Sequence, residues 1–341
     1  MSIPCPNFIR EKFPLSTQAE EFIISSKTEI QNILTYKSSK FIVILGPCSI
    51  HDPKATLEYA VRLKELSNNL KDSFFILMRV YYEKPRTSFG WKGYVTDPYL
   101  NQSSEIGDGL TLTRQLLTQI AELQIPIATE FLDPFTYPYF SDTISWGCIG
   151  ARTSSSPLHR QIASNLPMPI GFKNTPEGSI DIAIQGMRVA KQAHRFLGLE
   201  KNGMVNLISS YGNHYSHLVL RGSNLASNYD PHSVNNALLE LSRFDVMQRL
   251  IIDCSHDNSK RDIVNQQEVL ASVIDQYIEG NNGICGLMAE SFLYSGNQNI
   301  TETLKYGVSV TDPCLDWETT ERILYQAYHK LKVPEHVLVK T

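Results

Sequence analysis

The chain has 341 residues, 42% of them hydrophobic, and a formal net charge of −4. That length can bury a substantial core, and the mild negative balance excludes the global basic field that draws a protein to nucleic acid or to an anionic membrane surface. No apolar run approaches the roughly 18–20 residues needed to span a bilayer. The first residues lack the apolar core of a signal peptide, and Cys5, Cys48, Cys148, Cys254, Cys285 and Cys314 show no paired disulfide spacing. Reduced thiols and a cytoplasmic setting are therefore expected.

Residues 1–40 precede the first strongly apolar run and read as an N-terminal arm with an interface or regulatory role. Within them, TQAEEFIISSKTEIQNILTY (17–36) carries apolar residues at helical spacing and reads as a helix laid against the main body or a partner subunit. Eight short apolar runs follow. FIVIL (41–45) leads into Gly46-Pro47-Cys48, FFILM (74–78) ends at Arg79, IPIAT (125–129) at Glu130 and WGCIGA (146–151) at Arg152. MPIGF (168–172) ends at Lys173, HLVL (217–220) at Arg221, RLIID (249–253) leads to His256, and ICGLMA (284–289) ends at Glu290. Helical patterns lie between and after them at 53–70, 108–124, 134–142, 157–165, 179–195, 231–244, 262–279 and 316–332.

Short apolar runs separated by helices read as buried parallel strands. Eight of them, with chemistry-bearing side chains at the C-terminal ends, predict an α/β fold: a (β/α)₈ TIM barrel over residues 41–341, one domain with its active site above the strands. Two stretches break the rhythm. Residues 81–104 form a long loop in which Lys84, Arg86 and Lys92 alternate with aromatic residues, the length at which a loop is usually functional or disordered. Residues 196–216, with apolar segments on either side of Lys201-Asn202-Gly203, predict an extra β-hairpin.

A barrel would gather Cys48, His256, Glu290 and Asp312 at one mouth. A thiol, an imidazole and two carboxylates make a mixed site for one divalent ion, Mn²⁺, Fe²⁺, Co²⁺ or Zn²⁺, without strong selection among them. Each residue also has a plainer reading: a lone cysteine after a strand is a small buried hydrophobe, and Asp312 before Pro313 shapes a turn. Arg79, Lys84, Arg152, Lys173 and Arg221 are anion candidates at or just past strand ends. Together they would repel one another unless an anion sat between them, so a substrate carrying both phosphate and carboxylate fits. Arg86 and Thr87 in KPRT (84–87) are candidates for a second phosphate, against a Pro-centred turn with solvated charge. His256 is a candidate ligand or general base, with Asp253 and Asp257 placed to orient its ring, and His51 is a candidate cap for the helix starting near Pro53. Cys314, two residues past Asp312, is placed to approach Cys48.

GPCSIHDP (46–53), MRVYYEKPRTSFGWKG (78–93), IGART (149–153), GFKN (171–174), LRG (220–222), DCSHDNS (253–259), AES and GNQ (289–298) and YGVSVTDPC (306–314) occur in that order over nearly the whole chain. Together they resemble the class I 3-deoxy-D-arabino-heptulosonate-7-phosphate (DAHP) synthases of enteric bacteria and yeast, closest to the tyrosine-sensitive form. The related octulosonate phosphate synthases share the Gly-Pro-Cys start but lack the KPRT segment. The resemblance implies a transferase that condenses phosphoenolpyruvate with D-erythrose 4-phosphate, the entry to the shikimate pathway. It implies Cys48, His256, Glu290 and Asp312 as ligands of one metal ion. It also implies Arg79, Lys84, Arg152, Lys173 and Arg221 on phosphoenolpyruvate, Arg86 and Thr87 on erythrose phosphate, and Lys84 or His256 in proton transfer.

By the same resemblance the arm and hairpin form an inhibitor site and part of a homodimer or homotetramer interface. Gly198 occupies the position where tyrosine-sensitive members carry Gly and phenylalanine-sensitive ones Ser, so tyrosine is the expected inhibitor, with loss of regulation through distortion of the pocket at Pro167 as the alternative. The chain departs from the family's usual text at TSSSP (153–157), at Thr175-Pro176, at YGNHYSH (211–217) and at Pro167; none of these removes a ligand or a phosphate-binding cation. The competing readings are a metal-dependent aldolase that releases no phosphate and a non-catalytic regulatory barrel.

Overall fold

The computed structural model describes residues 3–86 and 89–332. Its strands, in chain order, are β1 (Phe41–Gly46), β2 (Phe74–Arg79), β3 (Ile127–Glu130), β4 (Trp146–Ile149), β5 (Ile170–Lys173), β6 (Arg195–Leu199), β7 (Val205–Ser209), β8 (His217–Leu220), β9 (Leu250–Asp253) and β10 (Ile284–Glu290). Eight are parallel and close in the order β1-β2-β3-β4-β5-β8-β9-β10, with β10 pairing back onto β1. β6 and β7 pair antiparallel with each other. The expected (β/α)₈ barrel with an extra hairpin is the observed fold.

Its helices are α1 (Pro6–Lys12), α2 (Thr17–Leu34), α3 (Pro53–Leu70), α4 (Ile106–Glu122), α5 (Tyr137–Phe140), α6 (Pro157–Asn165), α7 (Ile180–Ala190), α8 (Pro231–Ser242), α9 (Ile263–Ile278) and α10 (Trp317–Lys332). Successive strand residues face opposite sides. β1 accordingly sends Ile42 and Ile44 inward to Leu77, Trp146, Val219 and Ile251, and sends Phe41, Val43 and Leu45 outward to the helical layer. Both faces are covered, which is why these strands read as continuous apolar runs rather than as alternation.

The helices start where capping chemistry allows. Side chains of Asp52, Ser156, Ser179, Asp230 and Asp262 accept first-turn N–H groups of α3, α6, α7, α8 and α9. The cap of α3 corrects the expectation for His51: Asp52 Oδ1 takes the N–H groups of Lys54 and Ala55 at 2.9 and 3.1 Å, and His51 is buried instead. A carboxylate one residue before Pro53 reaches those donors better than an imidazole further back.

Two further differences have local causes. The pattern at 179–195 ends as a helix at Ala190, because the chain returning from the hairpin caps it: Asn213 N–H donates to the Ala190 carbonyl at 2.8 Å. Gly212 lies so close to that helix end that a Cβ there would sit 2.2 Å from the Lys191 carbonyl oxygen. α1 was not expected, since seven residues carry too little periodicity to read. The arm is also more than a surface strap. Ile30, Ile33 and Leu34 of α2 join the interior cluster, so α2 closes the barrel floor at the N-terminal ends of the strands. Arg249, just before β9, donates to the Ile33 carbonyl and lies 4.3 Å from the Tyr36 ring centroid. No helix among the described residues is long and apolar enough to cross a membrane.

One interior contact sets a pH dependence. Trp146 Nε1 donates to His217 Nε2 at 3.0 Å, and His217 Nδ1 faces the Tyr215 carbonyl at 3.0 Å, so the ring is held as the neutral Nδ1–H tautomer. Burial drives the His217 pKa from an ordinary 6.5 down to about 4. Between those values the unfolded chain binds more protons than the folded one, so stability falls as pH drops from about 6.5 toward about 4. Denaturant midpoints measured at pH 7 and pH 5 should show that loss in the wild type and a smaller loss in His217→Gln; equal losses would contradict it.

Candidate active site

β1 lies between β2 and β10, so the residues following these strands meet above the barrel. The ligating atoms of Cys48, Glu290 and Asp312 all lie within 4.8 Å of one another. His256, the fourth expected ligand, stands outside that mutual cluster, with Nε2 3.7 Å from Glu290 Oε1. Its Nδ1 is 2.8 Å from Asp253 Oδ2, a charge contact not aligned as a hydrogen bond.

The cluster is anionic, largely buried, and answered by cations. Lys84 Nζ donates to Cys48 Sγ at 3.0 Å, and Arg79 Nη2 to Glu290 Oε1 at 2.9 Å. Burial, reinforced by Glu290 and Asp312, pushes the Cys48 thiol up. Burial opposes charge on Asp312 too, but Lys84, His256 and Arg261 outweigh it and hold the carboxyl below its usual range. A divalent ion would deprotonate the thiol outright, and sulfur, imidazole and carboxylate donors together fit a borderline transition metal better than Mg²⁺ or Ca²⁺. Cys314 does approach Cys48, whose N–H points at Cys314 Sγ 3.3 Å away.

Beside the cluster is a cavity of about 240 Å³ walled by Arg79, Lys84, Arg86, Arg152, Lys173 and Arg221. Four of these cations have internal partners that fix their aim. Arg79, with no exposed surface, also donates to the Pro47 and Cys48 carbonyls at 3.2 Å and lies 3.6 Å from the Tyr81 ring centroid. Lys84 holds Cys48, Lys173 Nζ reaches Asp253 Oδ2 at 2.8 Å, and Arg221 pairs with Asp257. Asn174, of the GFKN segment, accepts the Arg221 N–H at 2.9 Å and donates to the Gly222 carbonyl at 2.8 Å, joining the mouths of β5 and β8. Arg86 and Arg152 are exposed and have no ion-pair partner among the described residues. The arrangement is a positive basin beside a metal-ligating cluster, suited to a small substrate with more than one anionic group.

The comparisons with known proteins agree with this geometry. The model of the DAHP synthetase I family matches residues 14–325. The chain belongs to that family. It is 44% identical over 329 residues to the Tyr-sensitive phospho-2-dehydro-3-deoxyheptonate aldolase of Escherichia coli K12, covering 96% of this chain and 92% of that one. It is 43% identical over 328 residues to the phenylalanine-inhibited enzyme of Saccharomyces cerevisiae, covering 94% and 88%. A solved phospho-2-dehydro-3-deoxyheptonate aldolase from Francisella tularensis SCHU S4 superposes with a TM-score of 0.95 at 40% identity, over 98% of each chain.

Within this member of the family, all six cations expected from sequence line one basin; Arg86 reaches it from the loop, donating from Nε to the Trp91 carbonyl at 3.1 Å. Thr87 lies outside the described residues. Asp257 does not orient His256: it pairs with Arg221 and, at 3.2 Å, with Arg261, leaving Asp253 as the only one of the two flanking carboxylates beside the ring. Sequence reasoning did not assign Tyr81, Glu130 or Arg261 to the site, although all three line the cavity. Glu130 had a signal, since it closes a strand like the others; Gly150 makes room for it, because a Cβ there would sit 2.1 Å from Glu130 Oε1. Arg261, 3.6 Å from Asp312 Oδ2, lies in a turn with no pattern to mark it.

Equilibrium dialysis against Mn²⁺ or Zn²⁺ should find about one ion per chain and far less in Cys48→Ala, with an unchanged far-UV spectrum in both. Equal metal content in the variant would remove Cys48 from the ligand set.

Proposed function

We propose that this chain condenses phosphoenolpyruvate with D-erythrose 4-phosphate and water to give 3-deoxy-D-arabino-heptulosonate 7-phosphate and inorganic phosphate, the first step toward the aromatic amino acids. The observation that carries this is the cation-walled cavity beside Cys48, Glu290 and Asp312 in a member of the DAHP synthetase I family. In the reaction C3 of phosphoenolpyruvate bonds to the aldehyde carbon, water adds at C2, and phosphate leaves with cleavage of the C2–O bond. Arg79, Lys84, Arg152, Lys173 and Arg221 bind the phosphate and carboxylate of phosphoenolpyruvate, and Arg86 with Thr87 binds the phosphate of the aldose. A divalent ion, Mn²⁺, Fe²⁺, Co²⁺ or Zn²⁺, held by Cys48, His256, Glu290 and Asp312, would supply a Lewis acid at the aldehyde oxygen or the attacking water.

The remaining work belongs to side chains. Lys173 and Arg221 are pre-aimed by buried carboxylates, so they meet charge that develops on the departing phosphate without reorganising. The aldehyde oxygen becomes a hydroxyl and needs a proton; Lys84 Nζ and His256 are the two donors at hand. Lys84 is the better supplied. Burial disfavours its charge, but Cys48 and Glu290 outweigh that and hold it above the ordinary lysine range.

Control by an aromatic amino acid completes the proposal, with tyrosine as the ligand and the arm and hairpin as its site. Relatives named Tyr-sensitive, phenylalanine-inhibited and Trp-sensitive support the ligand class. A cavity of about 570 Å³ between α1, α5 and the hairpin supports the place. Gly198 borders two of its walls: a Cβ there would sit 2.8 Å from Ile208 Cγ1 and 3.4 Å from Tyr137 Oη. A homodimer or homotetramer is proposed as the working assembly. The outward hairpin face supports it, with Leu197, Val205 and Leu207 exposed at 71%, 62% and 56%.

Phosphate release should require both substrates and stop with chelator. Arg152→Ala and Lys173→Ala should each lower kcat on the order of 100-fold; a rise in KM alone would assign them to ground-state binding only. Wild-type turnover should be inhibited more by tyrosine than by phenylalanine, with the order weakened or reversed in Gly198→Ser. Stronger inhibition of the wild type by phenylalanine would overturn the tyrosine assignment.

A further inference from the structure

The cavity between arm and hairpin has a charged end that neither the fold nor the proposed chemistry uses. Arg10 of α1 and Arg114 of α4 converge on one carboxylate, Asp142, which follows α5, and Lys27 of α2 feels the same charge without an ion pair to it. Arg114 Nη1 lies 2.6 Å and Arg10 Nη2 3.4 Å from the same Asp142 Oδ1. Three cations against one carboxylate leave positive charge uncompensated in a half-buried place. Arg114 uses Nε and Nη1, donating also to the carbonyls of Phe13 and Tyr139 at 3.2 and 3.3 Å. Arg10 uses Nη2, donating to the Pro138 carbonyl and, at 3.4 Å, to Ser141 Oγ. Its buried Nε has no acceptor, and Nη1 finds none among the described residues. Of the three cations, only Arg10 lines the cavity.

We infer that Arg10 anchors the carboxylate of a free α-amino acid whose side chain lies against the apolar walls of this cavity. The inference rests on the proposal that an aromatic amino acid binds here, and adds which group of the protein reads its charged end. Tyr137, Pro167, Leu199 and Ile208 form the apolar walls. The polar side carries Asp142, Glu200 and Lys201 as well as Arg10, and of these Arg10 offers the unpaired buried donor, so the cavity suits an apolar group joined to a carboxylate. A guanidinium with free donors in a fixed fork suits a carboxylate in particular.

The charge balance supports the same reading. Burial lowers the Arg10 pKa, with Arg114 adding to the effect and Asp142 opposing it. Burial brings Lys27 down to about 8 against the pull of Asp142. An arriving carboxylate relieves both. It would also tie two elements together, because α1 is already joined to the hairpin turn by the Asn7 N–H donating to the Lys201 carbonyl at 2.7 Å. A ligand held by Arg10 on one side and by Leu199 and Ile208 on the other clamps arm to hairpin, which gives its binding a structural effect away from the barrel mouth.

Calorimetric titration of the full-length protein with L-tyrosine and with L-tyrosinamide, which replaces the carboxylate with a neutral amide, tests this without any substitution. Tyrosinamide should bind at least about tenfold more weakly, the effect of losing a charge-assisted hydrogen-bonded pair. In Arg10→Ala, tyrosine should weaken to the level of tyrosinamide, and Arg10→Lys, which keeps the charge but not the fork, should fall between. Tyrosinamide binding the wild type as tightly as tyrosine would overturn the anchor, as would unchanged tyrosine affinity in Arg10→Ala; in both cases the regulatory reading stands. If none of tyrosine, phenylalanine and tryptophan binds the wild type, the regulatory reading falls and the anchor with it.

Discussion

The ion pair between Arg79 and Glu290 is the constraint on which the barrel mouth depends. It joins the ends of β2 and β10 across β1, and its two side chains are 0% and 2% exposed. A pair removed from water this completely adds little net stability, yet leaving either partner alone would cost about 3–5 kcal/mol. The value of such a pair is positional. Arg79 also holds the Pro47 and Cys48 carbonyls, so the turn that presents the Cys48 thiol is fixed by the same guanidinium that fixes Glu290. The Cys48–Glu290–Asp312 cluster and the cations of the cavity are thus parts of one electrostatic unit, in which each buried charge is oriented by another.

Asp253 extends that unit to the opposite rim. One oxygen, Oδ2, faces both Lys173 and His256 at 2.8 Å. Burial opposes its charge, but His256 and Lys173 outweigh burial and hold the carboxyl well below the usual range. Asp253 therefore stays ionised and links an expected ligand to an expected phosphate-binding lysine. Across the mouth, three buried cations pair with carboxylates from strands other than their own: Arg79 with Glu290 of β10, Lys173 with Asp253 at the end of β9 and Arg221 with Asp257, just past β9. Together with the exposed Arg86 and Arg152, they leave a positive basin whose remaining demand is a polyanionic substrate.

The arm divides its work between the two ends of the molecule. α2 fills the barrel floor with Ile30, Ile33 and Leu34, which makes it part of the core rather than an appendage. α1, by contrast, binds the hairpin through Asn7 and Lys201 and borders the cavity beside Gly198's neighbours Tyr137 and Ile208. One segment is therefore anchored in the catalytic barrel and also touches the hairpin. That continuity would give the proposed inhibitor site at the hairpin a mechanical route to the barrel that needs no change in the fold.

The eight strands were legible from sequence because a strand buried on both faces must be apolar throughout, and a charged residue ending such a run has nowhere to go but the mouth. Arg79, Lys173, Arg221 and Glu290 were found by that rule, Cys48 by its place just past the first run, and the motifs around them supplied the family. Sequence could not decide which charges would pair. That depends on barrel closure bringing β2 and β10 to either side of β1, and β5 within reach of β9, across separations of many residues. Hence Asp257 was assigned to His256 by proximity in the chain but belongs to Arg221 in space, and His256 stands beside the Cys48–Glu290–Asp312 cluster rather than inside it. Arg261 and the Arg10–Lys27–Arg114–Asp142 group carry no local signal at all, because their chemistry arises only when four separate elements converge. Periodicity and strand-end chemistry are local properties that the chain carries in itself; charge compensation is a property of the folded surface, and only the tertiary structure could settle it.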